Sequence, residues 1–406
     1  MSTVAFFDAL DSSFQRDPYA YYDQLHSNDL IYVDRSTGAY FIGKYDDVKK
    51  ILYNMSFTTE PLADRAQPVM RGRVLAQMEG DEHRSKKNTI LKGLRGNYFH
   101  NVYSPLICKI TKHLLDPYLP SGRIDLVQDF GKDYAILVTL GILGLPTENY
   151  QQIAQWHTGV ADFITRLDLS NSERLHSLEC SRLLSEFLRP IIATRMEDPG
   201  DDFISLMCYN NDGHPAMAIS EIIALCLNIL LAATEPADKS LALLFKHLLD
   251  HPDVFAKVYR DRSLLRSAIE ESLRLTSPVQ LIPRKAKEDV NISGVFIPKG
   301  ALIFNMIGAA NRDPHIFRNP GEFNIHRHLT DPLGSDGRRR RHLAFGSGRH
   351  VCLGAEFSLR QIEITTSILL DRLIELRIAN GFEFEECGFY IRGPRSLLLE
   401  FTPSIR

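Results

Sequence analysis

Apolar residues recur three and four positions apart through most of the chain between Asp81 and Leu265, which is the spacing of helices with one buried face. Two clear examples are Ile153, His157, Val160, Ile164 and Leu184, Phe187, Leu188, Ile191. The last helix of this block, SLLRSAIEESLRLTSP, is predicted to end before Pro278, because the residue before a proline disfavours the helical conformation. The pattern therefore predicts a large helical body.

The pattern changes after this block. Residues 279–306 are typical of short strands broken at Gly294 and Gly300, and residues 307–350 are rich in turn signals. We also predict a hairpin over 32–48, a helix over 354–379 and a strand over 397–401. No linker and no repeat of 20 to 50 residues divides the chain. The prediction is a mainly α fold with a smaller β-rich portion, in one domain over residues 1–406.

Composition narrows the class of protein. The 406 residues contain 47 Lys and Arg against 50 Asp and Glu, for a net charge of -3, which disfavours a nucleic-acid binder. The six cysteines form no Cys-x-x-Cys pair, so we expect a reducing, cytoplasmic location. The N-terminus has early acidic residues and no long apolar core, unlike a signal peptide. The longest apolar stretch, Ile222–Ala233, is shorter than the roughly 20 residues of a membrane span, so no membrane association is expected.

The most informative string is HLAFGSGRHVCLGAEFSLR, residues 342–360. It contains the pattern Phe345, Gly346, Gly348, His350, Cys352, Gly354 and leads into a predicted helix. A cysteine at the start of a helix favours its thiolate form, because the helix dipole is positive there. Such a thiolate serves as a nucleophile, a zinc ligand or an axial haem ligand. Zinc would need more Cys or His at regular spacing, and a nucleophile would need a base.

The Cys352 string closely resembles the haem-binding loop of the cytochrome P450 family, in which a cysteine thiolate is the axial iron ligand. Other family signatures follow in the same order: Glu271 and Arg274 as Glu-x-x-Arg, then Arg284, then Asn311-Arg312-Asp313-Pro314. The resemblance implies a cytochrome P450 fold that holds haem b between the central helix and the helix after the Cys loop. It implies that Cys352 is the metal ligand and that Phe345 and Gly346 shield the sulfur.

The resemblance also implies partners for the haem propionates. The family offers His-x-x-x-Arg from the helix after Gly80 and Asp81; here the histidine is His83 and the arginine position holds Lys87. Lysine keeps the positive charge but loses bidentate hydrogen bonding. Arg284 and His350 complete the set.

The largest departure from the family lies in the central helix, LNILLAATEPADKSLALLF. Members of the family carry Ala-Gly-x-Asp/Glu-Thr-Thr, whose first Thr hydroxyl helps to deliver protons during dioxygen activation. The corresponding positions here, all expected beside the haem, are Ala232, Ala233, Thr234, Glu235 and Pro236. Pro236 removes the hydroxyl and kinks the helix. Thr234 and Glu235 remain as candidate catalytic groups with Pro236; the alternative is that they only cap and solvate the kink. We expect water or a polar substrate to supply part of the proton relay.

Two comparisons bear on the substrate. Fatty-acid peroxygenases of the family resemble this chain but carry Arg-Pro at the positions of Glu235 and Pro236, and their arginine holds the substrate carboxylate. Glu235 would repel that carboxylate, so a fatty-acid peroxygenase is disfavoured. The strings ILLAATEPADK, PVQLIPR, MIGAANRDP and FNIHR closely resemble cyclodipeptide-oxidising members. This resemblance implies oxidation of a cyclic dipeptide, such as cyclo-dileucine, to an aromatised, N-hydroxylated ring. The alternatives are a hydroxylase of a terpenoid or macrolide, and a catalytically silent haem-binding protein.

Candidate substrate contacts follow from the same placement. Asn228 is the lone amide in an apolar helical stretch, four residues before Ala232, and its alternative role is to bond a neighbouring helix or a water. The apolar candidates, each of which is also a reasonable core residue, are Val69, Met70, Leu75, Met78, Phe163, Leu281 and Ile282.

The remaining partners follow from charge and from the family. Six arginines and one glutamate, Glu356, lie between Arg338 and Arg360, which gives a local charge of +5 beside the Cys loop. The arginines are Arg338, Arg339, Arg340, Arg341, Arg349 and Arg360. We expect this face to dock an acidic ferredoxin, supplied by a ferredoxin reductase, with O2 as co-substrate. The protein is expected to be a monomer.

Overall fold

The computed structural model describes residues 5–27, 31–94, 96, 98–209, 217–330 and 342–404. The chain forms two compact units, each built from three separate segments. Unit 1 comprises Met1–Pro61, Lys239–Cys352 and Asn380–Leu397; unit 2 comprises Leu62–Asp238, Leu353–Ala379 and Leu398–Arg406. The single domain expected over residues 1–406 stays a prediction.

The α-helices of the described residues make up about half of the chain. In chain order they are α1 (Ser12–Arg16), α2 (Tyr19–Ser27), α3 (Tyr45–Tyr53), α4 (Glu60–Met70), α5 (Gly80–Leu94), α6 (Ser104–Leu115), α7 (Lys132–Leu143), α8 (Tyr150–Thr165), α9 (Asn171–Glu197), α10 (Phe203–Cys208), α11 (Ile219–Asp250), α12 (Pro252–Arg260), α13 (Leu265–Leu275), α14 (Ile307–Ala310), α15 (Arg327–Thr330) and α16 (Ala355–Arg372).

The strands are short, and the fold is mainly α as expected. They are β1 (Ala5–Phe7), β2 (Tyr32–Asp34), β3 (Tyr40–Ile42), β4 (Phe57–Thr58), β5 (Arg123–Asp125), β6 (Leu281–Ala286), β7 (Val290–Ile292), β8 (Val295–Ile297), β9 (Leu302–Met306), β10 (Leu373–Ile378), β11 (Glu386–Cys387), β12 (Gly393–Pro394) and β13 (Leu398–Pro403).

Unit 1 is organised by a six-stranded sheet in the order β1-β2-β3-β9-β6-β4. β6 and β9 pair antiparallel with Arg284 opposite Ile303, and β3 runs parallel to β9. Apolar residues of the sheet and of α3 bury one core, which includes Val48, Ile51 and Ile303 at 0% exposure. This sheet positions β6, the strand that carries three of the candidate site residues.

The expected strand breaks in unit 1 are confirmed. β7 and β8 form a hairpin whose two-residue turn is Ser293-Gly294, and both turn residues have positive φ, at 48° and 82°. Two positive φ angles define the tight turn whose twist matches that of paired strands. Gly300, at φ 85°, ends the loop before β9.

Unit 2 is mostly helical. α8 and α9 pack closely at Gly159, where a Cβ atom would lie 2.6 Å from the Cys180 sulfur. α9 begins with a capping box, in which Ser170 and Glu173 exchange backbone and side-chain hydrogen bonds. α7 is buried along its length, and the Tyr134 hydroxyl lies 2.6 Å from Thr365 Oγ1 on α16. A three-stranded sheet, in the order β10-β13-β5, completes the unit.

Two element boundaries and one additional strand differ from the prediction. The helix expected over 354–379 ends at Arg372, and the chain continues as β10, because Leu373–Ile378 pairs with β13 instead. The hairpin expected over 32–48 is right for β2 and β3, but the chain turns helical at Tyr45, where Asp46 and Asp47 occupy the first turn of α3. The helical block also contains the short strand β5.

The central helix is α11, which runs for 32 residues and includes Pro236 without interruption. Among the described helices it is the one long and apolar enough to cross a membrane by length and composition alone. The core helix of a soluble protein meets the same criterion. Ala224, Cys226 and Leu244 on this helix are 0% exposed.

Candidate active site

The Cys loop of unit 1, residues 342–352, is shaped by two glycines. Gly346 and Gly348 have φ angles of 71° and 76°, which favour glycine. A Cβ atom on Gly348 would also lie 2.5 Å from the carbonyl oxygen of Leu52, so no other residue fits without moving the backbone. The Cys352 amide donates to the carbonyl oxygen of Phe345 at 2.9 Å, and the side chain of Cys352 is exposed. The loop therefore presents the sulfur on a constrained backbone.

Asn311 holds the start of this loop. Its Oδ1 accepts from the Leu343 amide at 2.6 Å, and its Nδ2 donates to Ser277 Oγ at 2.8 Å. Asn311 is 0% exposed, so both hydrogen bonds are shielded from water. Sequence analysis placed Asn311 in a family string, but its hydrogen bonds to the loop are seen only in the structure.

The Glu-x-x-Arg motif forms a buried ionic cluster next to Asn311. Arg274 Nε and Nη2 donate to the Glu271 carboxylate at 2.8 and 2.9 Å, and Arg274 Nη1 donates to the Asn311 carbonyl oxygen at 2.8 Å. Arg327 Nε donates to the same carboxylate at 2.8 Å. Burial lowers the pKa of Arg274 from its usual value. Arg327 was missed from sequence as a named partner, although it ends the string FNIHR.

Two further candidates of unit 1 lie on defined elements. Arg284 is buried at 4% exposure on β6, and its Nη1 donates to the Pro283 carbonyl oxygen at 2.9 Å. His350 is half-buried in a 3-10 turn, Gly348–His350. The Cys loop reaches the same strand, because a Cβ atom on Gly346 would lie 3.3 Å from Ile282 Cδ1.

In unit 2, α5 carries the other two predicted propionate partners. His83 is buried and Lys87 is half-buried, and their spacing of four residues places both on one face of the helix. The neighbouring Lys86 is committed elsewhere, to an ion pair with Glu221. Lys86 is therefore engaged in an ion pair, whereas the propionate contact of Lys87 stays a prediction.

α11 presents a stripe of four candidates on one accessible face. Ala232 is exposed, and Asn228, Glu235 and Pro236 are half-buried; their spacing of four, seven and eight residues keeps them in line along the helix. Thr234 does not belong to this stripe. It is buried at 6% exposure, and its Oγ1 lies 3.5 Å from Thr139 Oγ1 on α7.

Thr234 points away from the residues with which the sequence grouped it. Successive helix residues point about 100° apart, so a side chain two positions from both Ala232 and Pro236 points away from them. Sequence analysis grouped Thr234 with Glu235 and Pro236 as candidate catalytic groups. The structure brings Asn228, Ala232, Glu235 and Pro236 together and puts Thr234 into helix packing. Ala233, next to it, is half-buried.

Asp162 on α8 is a group that sequence analysis missed. Burial raises the pKa of its carboxyl above the usual value; Arg166 opposes this shift, and the negative charge of Glu235 adds to it. Asp162 and Glu235 are therefore electrostatically coupled carboxyl groups within unit 2. The string WHTGVADFIT contains Asp162, but nothing in its spacing indicates a partner 73 positions further along the chain.

The predicted apolar lining divides by burial. Four side chains are at most 1% exposed and lie in the core of this structure: Val69, Met70, Met78 and Leu281. Three others are partly accessible: Leu75, Phe163 and Ile282. The Arg174 guanidinium lies over the Phe163 ring, with its Cζ 5.8 Å from the ring centre.

Whether this chain can hold a haem depends on which side chains are available to bind it. Among the described residues no group of three or more His, Cys, Asp or Glu is arranged to hold a metal ion. A structural zinc site is therefore not supported there, since zinc takes four such ligands. Haem binding requires one ligand to the iron from the protein and positively charged partners for the propionates. Within unit 1, the accessible Cys352 and the buried Arg284 have this chemistry, so these residues fit the group.

Comparison with known proteins agrees over the whole chain. The cytochrome P450 family matches residues 145–374. The chain is 46% identical over 400 residues to pulcherriminic acid synthase of Bacillus subtilis, with 98% of each protein covered. It is 29% identical to the biotin biosynthesis cytochrome P450 of the same organism, covering 91% of this chain and 92% of that protein.

Solved structures show the same fold. The crystal structure of CalO2 matches with a TM-score of 0.86 at 24% identity, over 98% of this chain and 99% of that one. P450BioI, solved with an acyl carrier protein ligated to hexadec-9Z-enoic acid, matches with a TM-score of 0.83, at 25% identity, over 96% and 100%. The Cys loop, the Glu-x-x-Arg cluster and these similarities agree: this chain belongs to the cytochrome P450 family of monooxygenases, whose cofactor is haem b.

Proposed function

We propose that this monooxygenase oxidises a hydrophobic cyclic dipeptide, with cyclo-dileucine as the best candidate, to an aromatised and N-hydroxylated ring of the pulcherriminic-acid type. The observation that carries this proposal is the 46% identity to pulcherriminic acid synthase, which extends over 98% of both chains. Identity at that level across the full length includes the segments around α4, α8 and α11 where the substrate candidates lie.

The haem-binding residues form the first part of the proposal. Cys352 would bind the haem iron through its thiolate, and Phe345 and Gly346 would shield the sulfur from water. The residues that would bind the propionates are His83, Lys87, Arg284 and His350, and the small residues Ala232 and Ala233 of α11 would leave room for the ring. When bound, the haem supplies the dioxygen activation that inserts oxygen into the substrate.

The α11 stripe supplies the polar contacts to the substrate. A cyclic dipeptide presents two amide N–H donors and two carbonyl acceptors, and the Asn228 side chain both donates and accepts. Asn228 is half-buried on the accessible face, one helical turn from Ala232. We infer that Asn228 orients the ring by hydrogen bonding, and that Leu75, Phe163 and Ile282 contact its side chains.

Proton delivery is the step at which this chain departs from its family. Pro236 carries no hydroxyl, and Thr234 packs against Thr139. Glu235 is therefore the acid on the accessible face. The coupled Asp162 carboxyl holds its proton more tightly than usual and is a second proton store. Together with water and the polar substrate, these groups replace the missing hydroxyl.

Pro236→Thr tests this relay. Turnover of a cyclic dipeptide should stay unchanged or fall, because the polar substrate and the carboxyl groups already supply protons. The measurement is product formed per electron pair consumed. A large gain in coupled product would contradict the proposed relay.

Electrons come from a redox partner, as is general for the family. We propose an acidic ferredoxin with its reductase. Arg338–Arg341 lie outside the described residues. Arg349 is half-buried, and Arg360 pairs with Glu356 at 2.8 Å and stacks on Phe99. Electron transfer should slow as salt concentration rises. Rates that do not depend on salt would exclude long-range charge attraction.

The family and the charge balance favour a monomeric, cytoplasmic enzyme that associates with neither a membrane nor nucleic acid. These assignments are part of the proposal.

The decisive experiment for the substrate is a titration of the ferric protein with cyclic dipeptides, followed in the Soret band. Cyclo-dileucine should give a saturable blue shift. Cyclo-diserine should give a weaker one, because the apolar side chains of Leu75, Phe163 and Ile282 offer no hydrogen-bond partner to its hydroxyl groups. Asn228→Leu, which keeps the size and removes the amide, should weaken the shift with every ring. No shift with any ring, beside a normal thiolate spectrum of the CO complex, would favour a terpenoid or macrolide substrate. An abnormal CO spectrum would favour a silent haem protein.

A further inference from the structure

A cleft of about 330 Å³ in unit 2 is lined by three arginines, Arg71, Arg182 and Arg189. Ser185, Glu186 and Ser220 also line it. Its walls come from α9, from the first turn of α11 and from the residue after α4. The volume suits a small organic molecule, and three of the seven lining residues are basic, with Ile223 as the apolar member of the set.

Arg71 is held in place by its backbone and its neighbours. Its φ of 57° is uncommon for a residue other than glycine. Its Nε donates to Ser181 Oγ at 3.2 Å, and Ser181 Oγ in turn donates to the Val69 carbonyl oxygen at 2.6 Å. Gly72 packs so closely on α11 that an added Cβ atom would lie 3.0 Å from Ala224 Cβ. The guanidinium is therefore pre-positioned on α9 by neutral partners.

The positive charge of the cleft exceeds the negative charge around it. Arg182 is neutralised by Glu179, at 2.6 Å, and by Glu186. Among the described residues neither Arg71 nor Arg189 forms an ion pair, although the pKa of Glu179, lowered first by its hydrogen bond with Arg182, is lowered further by the positive charge of Arg71. The first turn of the 32-residue helix α11, at Ser220, also lies at the cleft, but Glu221 in that turn accepts from the Ala218 amide at 2.9 Å and offsets the positive end of the helix dipole. The two guanidinium groups of Arg71 and Arg189 therefore favour an anion in the cleft.

We propose that this arginine cleft binds the acidic, N-hydroxylated product of the reaction in its anionic form. The proposal rests on the proposed function, because it takes its ligand chemistry from that reaction. The substrate ring is neutral, whereas an aromatised ring with N-hydroxyl groups is an acid. Guanidinium groups bind planar oxyanions through paired hydrogen bonds, which the neutral substrate cannot match. The cleft therefore distinguishes product from substrate by charge, and it offers the product a separate site on the surface of unit 2.

The test uses the haem-loaded ferric protein and the anion of 1-hydroxypyridin-2-one as a probe of this chemistry. Pyridin-2-one, which lacks the N-hydroxyl group, is the neutral control, and inorganic phosphate tests for a general anion site. Binding is measured by calorimetry, while the Soret band reports whether the probe reaches the iron. The probe should bind without displacing cyclo-dileucine, and pyridin-2-one should not bind.

Arg71→Gln with Arg189→Gln should weaken probe binding about tenfold or more, because charge-assisted hydrogen bonds are lost. Arg189→Gln alone, at an exposed position that leaves the fold intact, should weaken it to a smaller extent. Arg123→Gln, an exposed arginine on β5 of the same unit, should leave binding unchanged. The CO spectrum and the cyclo-dileucine shift should be the same in all variants.

Three results would overturn the inference. Equal binding of the probe by wild type and Arg189→Gln would remove the cleft as the site. Binding seen only through a Soret change would place the probe on the iron. Phosphate binding as tight as that of the probe would mean a general anion site and not a product site. If cyclo-dileucine gave no Soret shift in the wild-type protein, the proposed function would be refuted instead, so the two failures can be told apart.

Discussion

The Cys loop of unit 1 and the α11 stripe of unit 2 are held in opposite ways. The loop is fixed by buried polar contacts: Leu343 to Asn311, Asn311 to Arg274, and Arg274 to Glu271. The stripe is accessible on one side, and its residue Pro236 replaces a hydroxyl that the family normally supplies. The proposed cofactor-binding loop is therefore constrained by packing, whereas the proposed substrate-contacting stripe has fewer such constraints. Changes at the two regions should have different effects.

The largest effect is expected at the end of the constrained loop. Cys352→Ser should abolish monooxygenase activity, because the thiolate that donates electron density for O–O cleavage is lost. The reduced CO complex should lose its thiolate signature. Cys108→Ser, at a half-buried cysteine of α6, is the matched control and should keep both properties. Activity retained by Cys352→Ser would refute the proposed ligand.

The second-largest effect is expected in the buried Glu271–Arg274 cluster that supports the loop. Glu271→Gln leaves Arg274 and Arg327 buried without their counter-charge, which should cost about 3–5 kcal/mol in the free energy of unfolding. The partly exposed pair Arg266–Glu270 on the same helix is the control, and Glu270→Gln should cost less than about 1 kcal/mol. Urea unfolding of the haem-loaded protein measures both. Equal costs would mean that the cluster does not stabilise the Cys loop region.

A smaller effect, on rate and not on stability, is expected in the accessible stripe. Glu235→Gln should lower turnover of a cyclic dipeptide by roughly 10- to 100-fold, because a positioned acid is lost. Thr234→Val should leave turnover unchanged, since its hydroxyl faces Thr139, and should change stability by less than about 1 kcal/mol. The measurement is kcat for each variant. The reverse ranking would place the relay on Thr234.

The smallest effect concerns Asp162. The folded protein holds its proton more tightly than the unfolded chain, so its burial destabilises the fold at pH values above the raised pKa, and this cost disappears as pH falls through that range. Asp162→Asn should therefore raise the melting temperature by about 1 °C at pH 7.5 and by less at pH 4.5. Asp168→Asn, an exposed carboxylate in the same region, is the control. A larger gain at pH 4.5 would contradict the direction of the shift.

How far sequence alone predicts the site depends on the kind of information each residue carries. Cys352, Gly346 and Gly348 sit in a contiguous motif, and the backbone angles explain the glycines directly. Thr234 shows the limit of adjacency in sequence, because helix geometry turns it away from Glu235 and Pro236. Asp162 and Arg327 are set by packing between distant segments, which no local spacing records.

The same distinction applies to the fold. The turn at Gly294 was predictable, because a two-residue turn between paired strands has its own local chemistry. The end of α16 at Arg372 was not, because Leu373–Ile378 is drawn into a strand by β13, whose pairing is non-local. Apolar residues in that stretch suit either structure until their partner is known.

The order of strands in unit 2 has a consequence for how the protein is made. β13 lies between β10 and β5, and Leu398 pairs with Asp125 roughly 270 residues earlier in the chain. During synthesis β5 leaves the ribosome long before its neighbour exists. The helices of unit 2 have local contacts and can form at once, but β5 must wait with an unpaired edge. We expect folding of this unit to finish in a slow, late step, in which β13, from the last segment of the unit, pairs with the much earlier β5.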